Sequence, residues 1–380
     1  MNILLLALDI NLSVTRGDAV HTIEIARSLA QRGHRVDLVV ASNGVNSRNS
    51  RLVVHLRSPG SDLSVVASCA RIGRDAGTDV IYERRLSPKI AFGVSRLLGL
   101  PFVVEVNGIE EEASIQGRGA QSGWRPIKAR IRRAMYHSAA RVVAVSDRLA
   151  SIIAARTGLP MNRITVVPNG VDTEGFVPTN AVEARELLGL EVGSWIIYVG
   201  NLVPWQGLDT ALRAFPIILE RCPRARFAIV GDGVLREPLE EMASTLGVRD
   251  RLLMKGPVPH EAIPTWIGAA NVCLAPFARA RNETIGLSPL KVYEYMSCGR
   301  PVVASDIPGV TELLTRSGGG LVVPPENPEA LAAAIVQLLS SEREAGEMGE
   351  RGRRFAVEHC SWSKTAERVE RVLEDAVHNR

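Results

Sequence analysis

Residues 288–299 read SPLKVYEYMSCG and place a lysine and a carboxylate three positions apart near the start of a helix-like pattern. Ser288 is of the residue type that caps helix starts, and Pro289 suits the first helical position. Gly299 then stops the helix, with Pro301 just beyond. On this reading Leu290 and Lys291 take the second and third positions, whose backbone N–H groups have no acceptor inside the helix. Free amides, the positive end of the helix dipole and the Lys291 ammonium together favour an anion. Glu294 lies about one turn further on the same face, where a carboxylate can accept hydrogen bonds from the vicinal hydroxyls of a ribose. The residue types therefore suit a nucleoside diphosphate. A capped helix with an ordinary Lys–Glu surface pair suits them equally well.

The elements that must position these side chains are legible along the chain. NILLLAL, HRVDLVV, RLVVHL, DVIY, PFVVEV, RVVAV and RITVV read as strands, separated by helical patterns such as DAVHTIEIARSLAQRG, with Val20, Ile23, Ala26 and Ala30 on one face. After VVPNGVDTEGFVPTN the alternation restarts with SWIIYV, RARFAIV, DRLLMK, ANVCLAP, PVVAS and GLVVP. Near-continuously apolar strands alternating with helices predict parallel sheets covered on both faces. The expected fold class is α/β, with two Rossmann-like, doubly wound domains facing a central cleft. Their expected limits are 1–175 and 176–360, with a C-terminal helix over 361–380 packing back on the first domain. In such sheets ligands sit beyond the carboxyl ends of the strands.

Composition narrows the function classes. The chain has 380 residues, 46% hydrophobic and 23% charged, with 45 Lys and Arg against 41 Asp and Glu. A net charge of +4 and 4% aromatic residues argue against a nucleic-acid surface. Five dispersed cysteines with no CxxC pair read as reduced thiols. MNILLLALDI lacks a basic leader and a cleavage site, so it reads as a buried first strand and not as a signal peptide. No apolar run reaches the ~18 residues of a membrane span. A soluble, cytoplasmic protein is expected.

Taken together the motifs resemble, nearly end to end, the retaining nucleotide-sugar glycosyltransferases of GT-B fold, specifically family 4. The resemblance is carried by HTIEIARSLAQRGHRVDLVV, VVAVSDRLA, ITVVPNGVDTEGFVP, YVGNLVPWQGLDTALRAF, FAIVGDGVLREPLEEMASTLGVRDRLLMKGPVPH and SPLKVYEYMSCGRPVVASDIPGVTELL. It implies transfer of a hexosyl-type unit, with retention, from a nucleoside-diphosphate sugar to an acceptor hydroxyl of a glycan, glycolipid or small molecule. UDP is expected ahead of GDP. The donor would bind mainly the second domain and the acceptor the first. No cofactor and no metal would be required, helix-end amides and basic side chains stabilising the leaving diphosphate; the chain contains no DxD pair. By the same resemblance Gly17 lies in the loop after the first strand, Leu290 and Lys291 meet the diphosphate and Glu294 the ribose. Ser288 and Pro289 open that helix. Gly231 and Val258 fall where the family contacts the nucleoside and its base, and Gly200 is a further donor-binding position.

Four positions depart from the family pattern. The first of its two glutamates, eight residues before Glu294, falls at Gly286; Glu283 stands nearby as a substitute catalytic carboxylate. The Arg and Lys that clamp the diphosphate fall at Asn201 and Gln206. The family histidine near the sugar's C6 hydroxyl falls at Asn107. Lys291 is the expected replacement cation, and Arg16 is a second candidate or a solvated loop residue. Asp18 is the expected helix N-cap. His21 either lines the acceptor side or is structural. Glu83, Arg84 and Arg85 either shape the acceptor pocket or pair with one another. WRPIKARIRRAMYHSA carries Arg125, Lys128, Arg130, Arg132 and Arg133 with Ile127, Ile131 and Met135 as an apolar stripe. Residues 124–138 are thus expected either to touch an anionic membrane peripherally or to pack on the core with a wet basic face. Three other function classes compete. A catalytically degenerate partner subunit and a GT-B-like sugar-nucleotide epimerase share the fold. A nicotinamide-dependent oxidoreductase is disfavoured, because no GxGxxG follows the first strand.

Overall fold

The structure is a computed structural model that describes residues 1–13, 17–42, 49–108 and 126–378. Arg16 and Arg125 lie outside the described residues. Contacts divide the chain into two compact units, Met1–Asn169 with Trp362–Arg380, and Gly170–Ser361.

The first unit is built on strands β1 (Asn2–Asn11), β2 (Arg35–Ser42), β3 (Leu52–Leu56), β4 (Val80–Arg84), β5 (Phe102–Val106), β6 (Arg141–Ala144) and β7 (Ile164–Val166). They pair in parallel in the order β3-β2-β1-β4-β5-β6-β7. The described helices of this stretch are α1 (Gly17–Gln31), α2 (Asp62–Asp75), α3 (Lys89–Leu98), α4 (Pro126–Ser138) and α5 (Asp147–Thr157). Ile3 to Leu8 of β1 are all buried, as a central parallel strand covered on both faces requires. In α4, of the expected apolar stripe Ile131 is 52% exposed and Met135 half-buried, while the side chains of Ile127 and Lys128 lie outside the described residues; Tyr136 is the buried anchor, its hydroxyl donating to the Leu86 carbonyl at 2.9 Å. Asp18 falls inside the first turn of α1 and not at its N-cap, its carboxylate accepting from the Ala19 N–H at 3.0 Å.

The second unit pairs β8 (Ser194–Val199), β9 (Ala225–Val230), β10 (Leu252–Gly256), β11 (Val272–Ala275), β12 (Val302–Ser305) and β13 (Gly320–Val323) in the order β10-β9-β8-β11-β12-β13, again all parallel. Its helices are α6 (Ala181–Leu187), α7 (Leu208–Arg221), α8 (Arg236–Thr245), α9 (Ile263–Gly268), α10 (Arg279–Ile285), α11 (Leu290–Ser297), α12 (Val310–Ser317), α13 (Pro328–Ser340) and α14 (Glu342–His359). One core packs Ile197, Cys273 and Val302 against Tyr295 and Met296 of α11. The other packs Ile196, Leu274 and Val303 against α7 and α13. In both sheets the strand order reverses direction beside the first strand of the unit, β1 or β8, which is where doubly wound folds hold ligands.

The chain then returns to the first unit as α15 (Trp362–His378). The ring of Trp362 meets that of His21 edge to face at 5.4 Å, and Glu370 accepts from His34 and from Arg32, both at 2.6 Å. This packing explains why α1 is buried well beyond its predicted face, including His21, Thr22 and Ser28. Within the second unit, Arg353 of α14 donates from Nη1 to the carbonyls of Phe176 and Ser297, both at 2.8 Å, and from Nη2 to that of Thr173 at 2.9 Å. It thereby ties the start of this unit to the C-terminal end of α11. Charge-assisted bonds to otherwise unpaired carbonyls contribute more than neutral ones. Arg353→Met should therefore cost about 2 kcal/mol in urea unfolding; a midpoint unchanged from the wild type would mean the brace is incidental.

Candidate functional site

In the second unit the carboxyl ends of β8 and β9 continue as paired loops. Gly200 N–H donates to the Val230 carbonyl and Gly231 N–H to that of Gly256, each at 2.9 Å, and Leu202 N–H donates to Asp232 at 2.9 Å. Gly231 has φ 137°, and a Cβ there would overlap the Gly200 carbonyl oxygen, so only glycine lets these loops lie this close. The turn Pro204–Gln206 ends at Gly207, whose φ is 66° and whose Cα faces the Pro276 carbonyl after β11. That contact sets Gln206 above the end of the sheet. Two buried tyrosines hold β8 below it. Tyr198 donates to the Asn201 carbonyl at 2.8 Å, and Tyr295 Oη accepts from the Val199 N–H at 2.8 Å.

Lys291 enters this space from α11. Its ammonium lies 3.8 Å from the centre of the Tyr198 ring and 5.5 Å from that of Phe277, and donates to Gln206 Oε1 at 2.5 Å. Every direct contact of the cation is thus with a neutral group. Burial pulls the Lys291 ammonium well below its usual range, and the Glu294 carboxylate only partly opposes this. Glu294 is the mirror case: burial raises its carboxyl to about 7, against the lowering influence of Lys291. Among the described residues the Glu294 carboxylate accepts no hydrogen bond. A polyanion beside Lys291 and hydroxyl donors beside Glu294 would each restore what burial removes.

The helix start differs from the sequence expectation. Pro289 occupies the N-cap with ψ 74°, and no side chain caps the helix, so Ser288 precedes the cap. Leu290 is the first helical residue, its N–H turned to the Ser288 carbonyl at 3.0 Å. Lys291 is therefore second, and among the described residues its N–H has no backbone acceptor. The Pro289 carbonyl accepts from Val292 and Tyr293 at 2.9 and 3.2 Å. The other end is as expected. Gly299, at φ 67°, donates to Met296, and Arg300 donates to Tyr295, which is a Schellman motif.

The structure therefore gathers Gly200, Gly231, Gln206, Lys291 and Glu294. Asn201 is exposed and joins through its carbonyl. Val258 is half-buried against the core. Glu283 is turned elsewhere, pairing with Arg279 at 2.9 Å along α10, and Gly286 terminates that helix at φ 74°. Sequence reasoning missed Tyr198 and Phe277, the shelf on which the cation rests. Their only signal was an aromatic residue at the end of each of two strands.

In the first unit Gly17 opens α1 and Asn107 follows β5. Asn107 Nδ2 donates to the buried Glu105, and its Oδ1 is buried without a partner among the described residues. Glu105 also accepts from the Tyr82 hydroxyl and lies 2.7 Å from His21 Nε2 and 3.5 Å from Arg84 Nε. Burial alone would push the Glu105 carboxyl up; His21, Arg84 and Tyr82 outweigh it and bring it to about 2. Glu83 is different. It accepts only from the Ala91 N–H, at 2.9 Å, and burial raises it to about 8. Neither arginine pairs with it directly, since Arg84 turns to Glu105 and Arg85 to Asp9 at 3.1 Å.

The profile described as Glycosyltransferase Family 4 matches residues 15–175, and that described as Glycosyl transferases group 1 matches residues 193–341. A GDP-mannose-dependent alpha-(1-6)-phosphatidylinositol monomannoside mannosyltransferase of Mycolicibacterium smegmatis is 32% identical over 261 residues, 67% of this chain and 68% of its own. The chain belongs to glycosyltransferase family 4. A D-inositol 3-phosphate glycosyltransferase of Acidothermus cellulolyticus is 30% identical over 96% of this glycosyltransferase and 87% of itself. Among solved structures, a glycosyltransferase of Rickettsia africae superposes with a TM-score of 0.81 at 17% identity, covering 100% of this chain and 99% of that one. Anabaena Alr3699/HepE, solved with UDP and glucose, gives 0.76 at 18% identity over 98% and 99%. The fold of this glycosyltransferase is GT-B.

Three outcomes test the site. Gln206→Lys faces Lys291 with a second ammonium, so the free protein should melt a few degrees lower while its stabilisation by UDP or GDP increases; a variant that melts like the wild type would show that the two heads do not meet. Gly231→Ala should abolish nucleotide-induced stabilisation, whereas Gly247→Ala, with an open space at φ 68°, should cost only about 1 kcal/mol of backbone strain. The two buried carboxylates should give stability–pH profiles of opposite sign. Glu105 is lowered, so its contribution is present above 4.5 and lost as pH falls towards about 2. Glu83 is raised, so stability falls as pH climbs from 4.5 to about 8. Glu83→Gln should flatten the second limb and leave the first, as read by thermal melts across that range.

Proposed function

We propose that this glycosyltransferase is a retaining enzyme that moves a hexosyl unit from a nucleoside-diphosphate sugar to an acceptor hydroxyl. The observation that carries the reading is the Lys291 ammonium, desolvated over Tyr198 and bonded only to neutral groups, beside the unpaired Glu294 carboxylate. A diphosphate is the ligand such a cation lacks, and a ribose the ligand such a carboxylate lacks. As the sugar–phosphate bond breaks, charge grows on the leaving diphosphate. A fixed ammonium and the Lys291 N–H then stabilise the transition state more than the ground state. In this reading Lys291 takes over from the cations that the family pattern places at Asn201 and Gln206. Gln206 holds its head in place. The leaving group is stabilised by this chain's own groups, without metal.

Asn107 is the matching group of the first unit. Its Nδ2 is committed to Glu105, which leaves Oδ1 to accept from a hydroxyl of the transferred sugar or of the acceptor. Relatives point to two donor bases: the mycobacterial relative is named for GDP-mannose, and the Anabaena structures hold UDP or UDP-glucose. The decisive panel therefore sets UDP-glucose against GDP-mannose. Nucleoside diphosphate release is followed with water, with myo-inositol phosphate and with a phosphatidylinositol vesicle as acceptor. Release from one donor only, with the donor's anomeric configuration kept in the product as read from its one-bond C1–H1 coupling, is the expected result. An inverted product would overturn retention. Folded protein that neither binds nor consumes either donor would favour the degenerate partner subunit instead.

A further inference from the structure

A second charged cavity lies in the Gly170–Ser361 unit, away from Lys291. It has a volume of about 300 Å³ and opens at the amino-terminal edge of the sheet, among Arg185 of α6, Asn271 before β11, Arg300 and Pro301 before β12, and α13 and α14. The donor site sits at the opposite, carboxyl edge of the same sheet.

Apart from the Glu342 carboxylate, the side-chain polar groups of this cavity offer it donors and are held by neutral acceptors. Arg185 donates from Nε to the Ala269 carbonyl at 2.8 Å and from Nη2 to Asn271 Oδ1 at 2.7 Å. The Trp195 N–H donates to the same oxygen at 2.8 Å, so the acceptor end of the Asn271 amide is fully used and its Nδ2 has no acceptor among the described residues. Arg300 donates from Nη2 to the Thr179 carbonyl at 2.6 Å, and its Nε is buried without a partner. Both guanidiniums are thus fixed by neutral acceptors, and among the described residues neither forms an ion pair. Glu342 is the one carboxylate in the lining and bonds to neither. Burial, and for Arg185 the charge of Arg300, lower both arginines from their usual range, and the Glu342 carboxylate partly opposes the shift of Arg185. The remaining wall is aliphatic, from Val182, Leu338 and Leu339.

We infer that this cavity is a binding site for a small phosphate-bearing anion, distinct from the donor site. Two planar guanidiniums, each held by neutral acceptors, and an amide N–H₂ offer the kind of donors that the oxygens of a phosphate group accept. The volume exceeds that of a free phosphate, and the aliphatic wall leaves room for a short organic substituent. Arg300 follows the Schellman turn that closes α11, so the anion would sit at the far end of the eight-residue helix that carries Lys291 and Glu294.

The test uses the full chain and titrates inorganic phosphate and glycerol 3-phosphate by ³¹P line broadening and calorimetry. Lys291→Met is measured alongside, to remove phosphate binding at the donor site. Saturable binding that survives Lys291→Met and weakens about tenfold or more in Arg300→Gln is expected. Gly346→Glu is the control against misfolding. A Cβ at that α14 position meets nothing within 4 Å, so the new side chain enters without a clash at the helix; its carboxylate competes with the anion for the arginines, and it too should abolish binding. Tighter binding of the ester than of free phosphate would assign the ester as the ligand class. Equal binding would assign the free anion. Binding lost in Lys291→Met and kept in Arg300→Gln and Gly346→Glu would place the phosphate at the donor site and overturn the inference, as would no saturable binding at all.

Discussion

The Lys291 ammonium has been taken out of water and given no carboxylate in contact. Its partners are an amide oxygen and the faces of two aromatic rings. Cation–π contacts and a single neutral hydrogen bond hold such a charge in position without cancelling it. Much of the second unit serves this condition. Gly207 sets the turn that carries Gln206, the paired glycine loops leave room above Tyr198, and the Tyr295 hydroxyl fixes the end of β8. Arg353 fastens the far end of the same helix. A neutral side chain at 291 would leave these elements intact and without purpose at the site.

The first unit solves the opposite problem. There a carboxylate is buried at the end of β5, and the fold brings His21, Tyr82, Arg84 and Asn107 to it. The result is a rigid polar cluster in which the orientation of the Asn107 amide is decided by Glu105. Glu83, two strands from β6 and buried under the start of α3, has only one backbone donor and is held closer to neutrality. Neighbouring carboxylates of like burial thus differ in charge through the number of donors each can reach.

The alternation of strands and helices was legible because parallel strands buried on both faces are written as unbroken apolar runs, as Ile3–Leu8 of β1 shows. The return of the last helix was legible as an amphipathic pattern, though its effect on α1, which it buries beyond one face, was not. The identity of Lys291 and Glu294 as a pair followed from helical spacing. The helix start did not, because Pro289 takes a ψ outside the helical range and shifts the first turn by one residue. The meeting of Gln206 with Lys291 joins residues 85 apart, and no local pattern records it. Glu283 was a candidate by proximity in sequence. One helical turn was enough to pair it with Arg279 instead. Ile131 shows the same limit, since periodicity names a face but not what covers it.

The central claim is that one desolvated lysine carries the diphosphate in place of the usual clamp. Calorimetric titration of UDP and of GDP into wild type and Lys291→Met measures it most directly. Loss of a charge-assisted contact from a buried site should weaken the preferred nucleotide by about 10- to 100-fold, with the melting curve of the free variant unchanged or raised. Equal affinity in the two proteins would contradict the account and leave the diphosphate to some other cation.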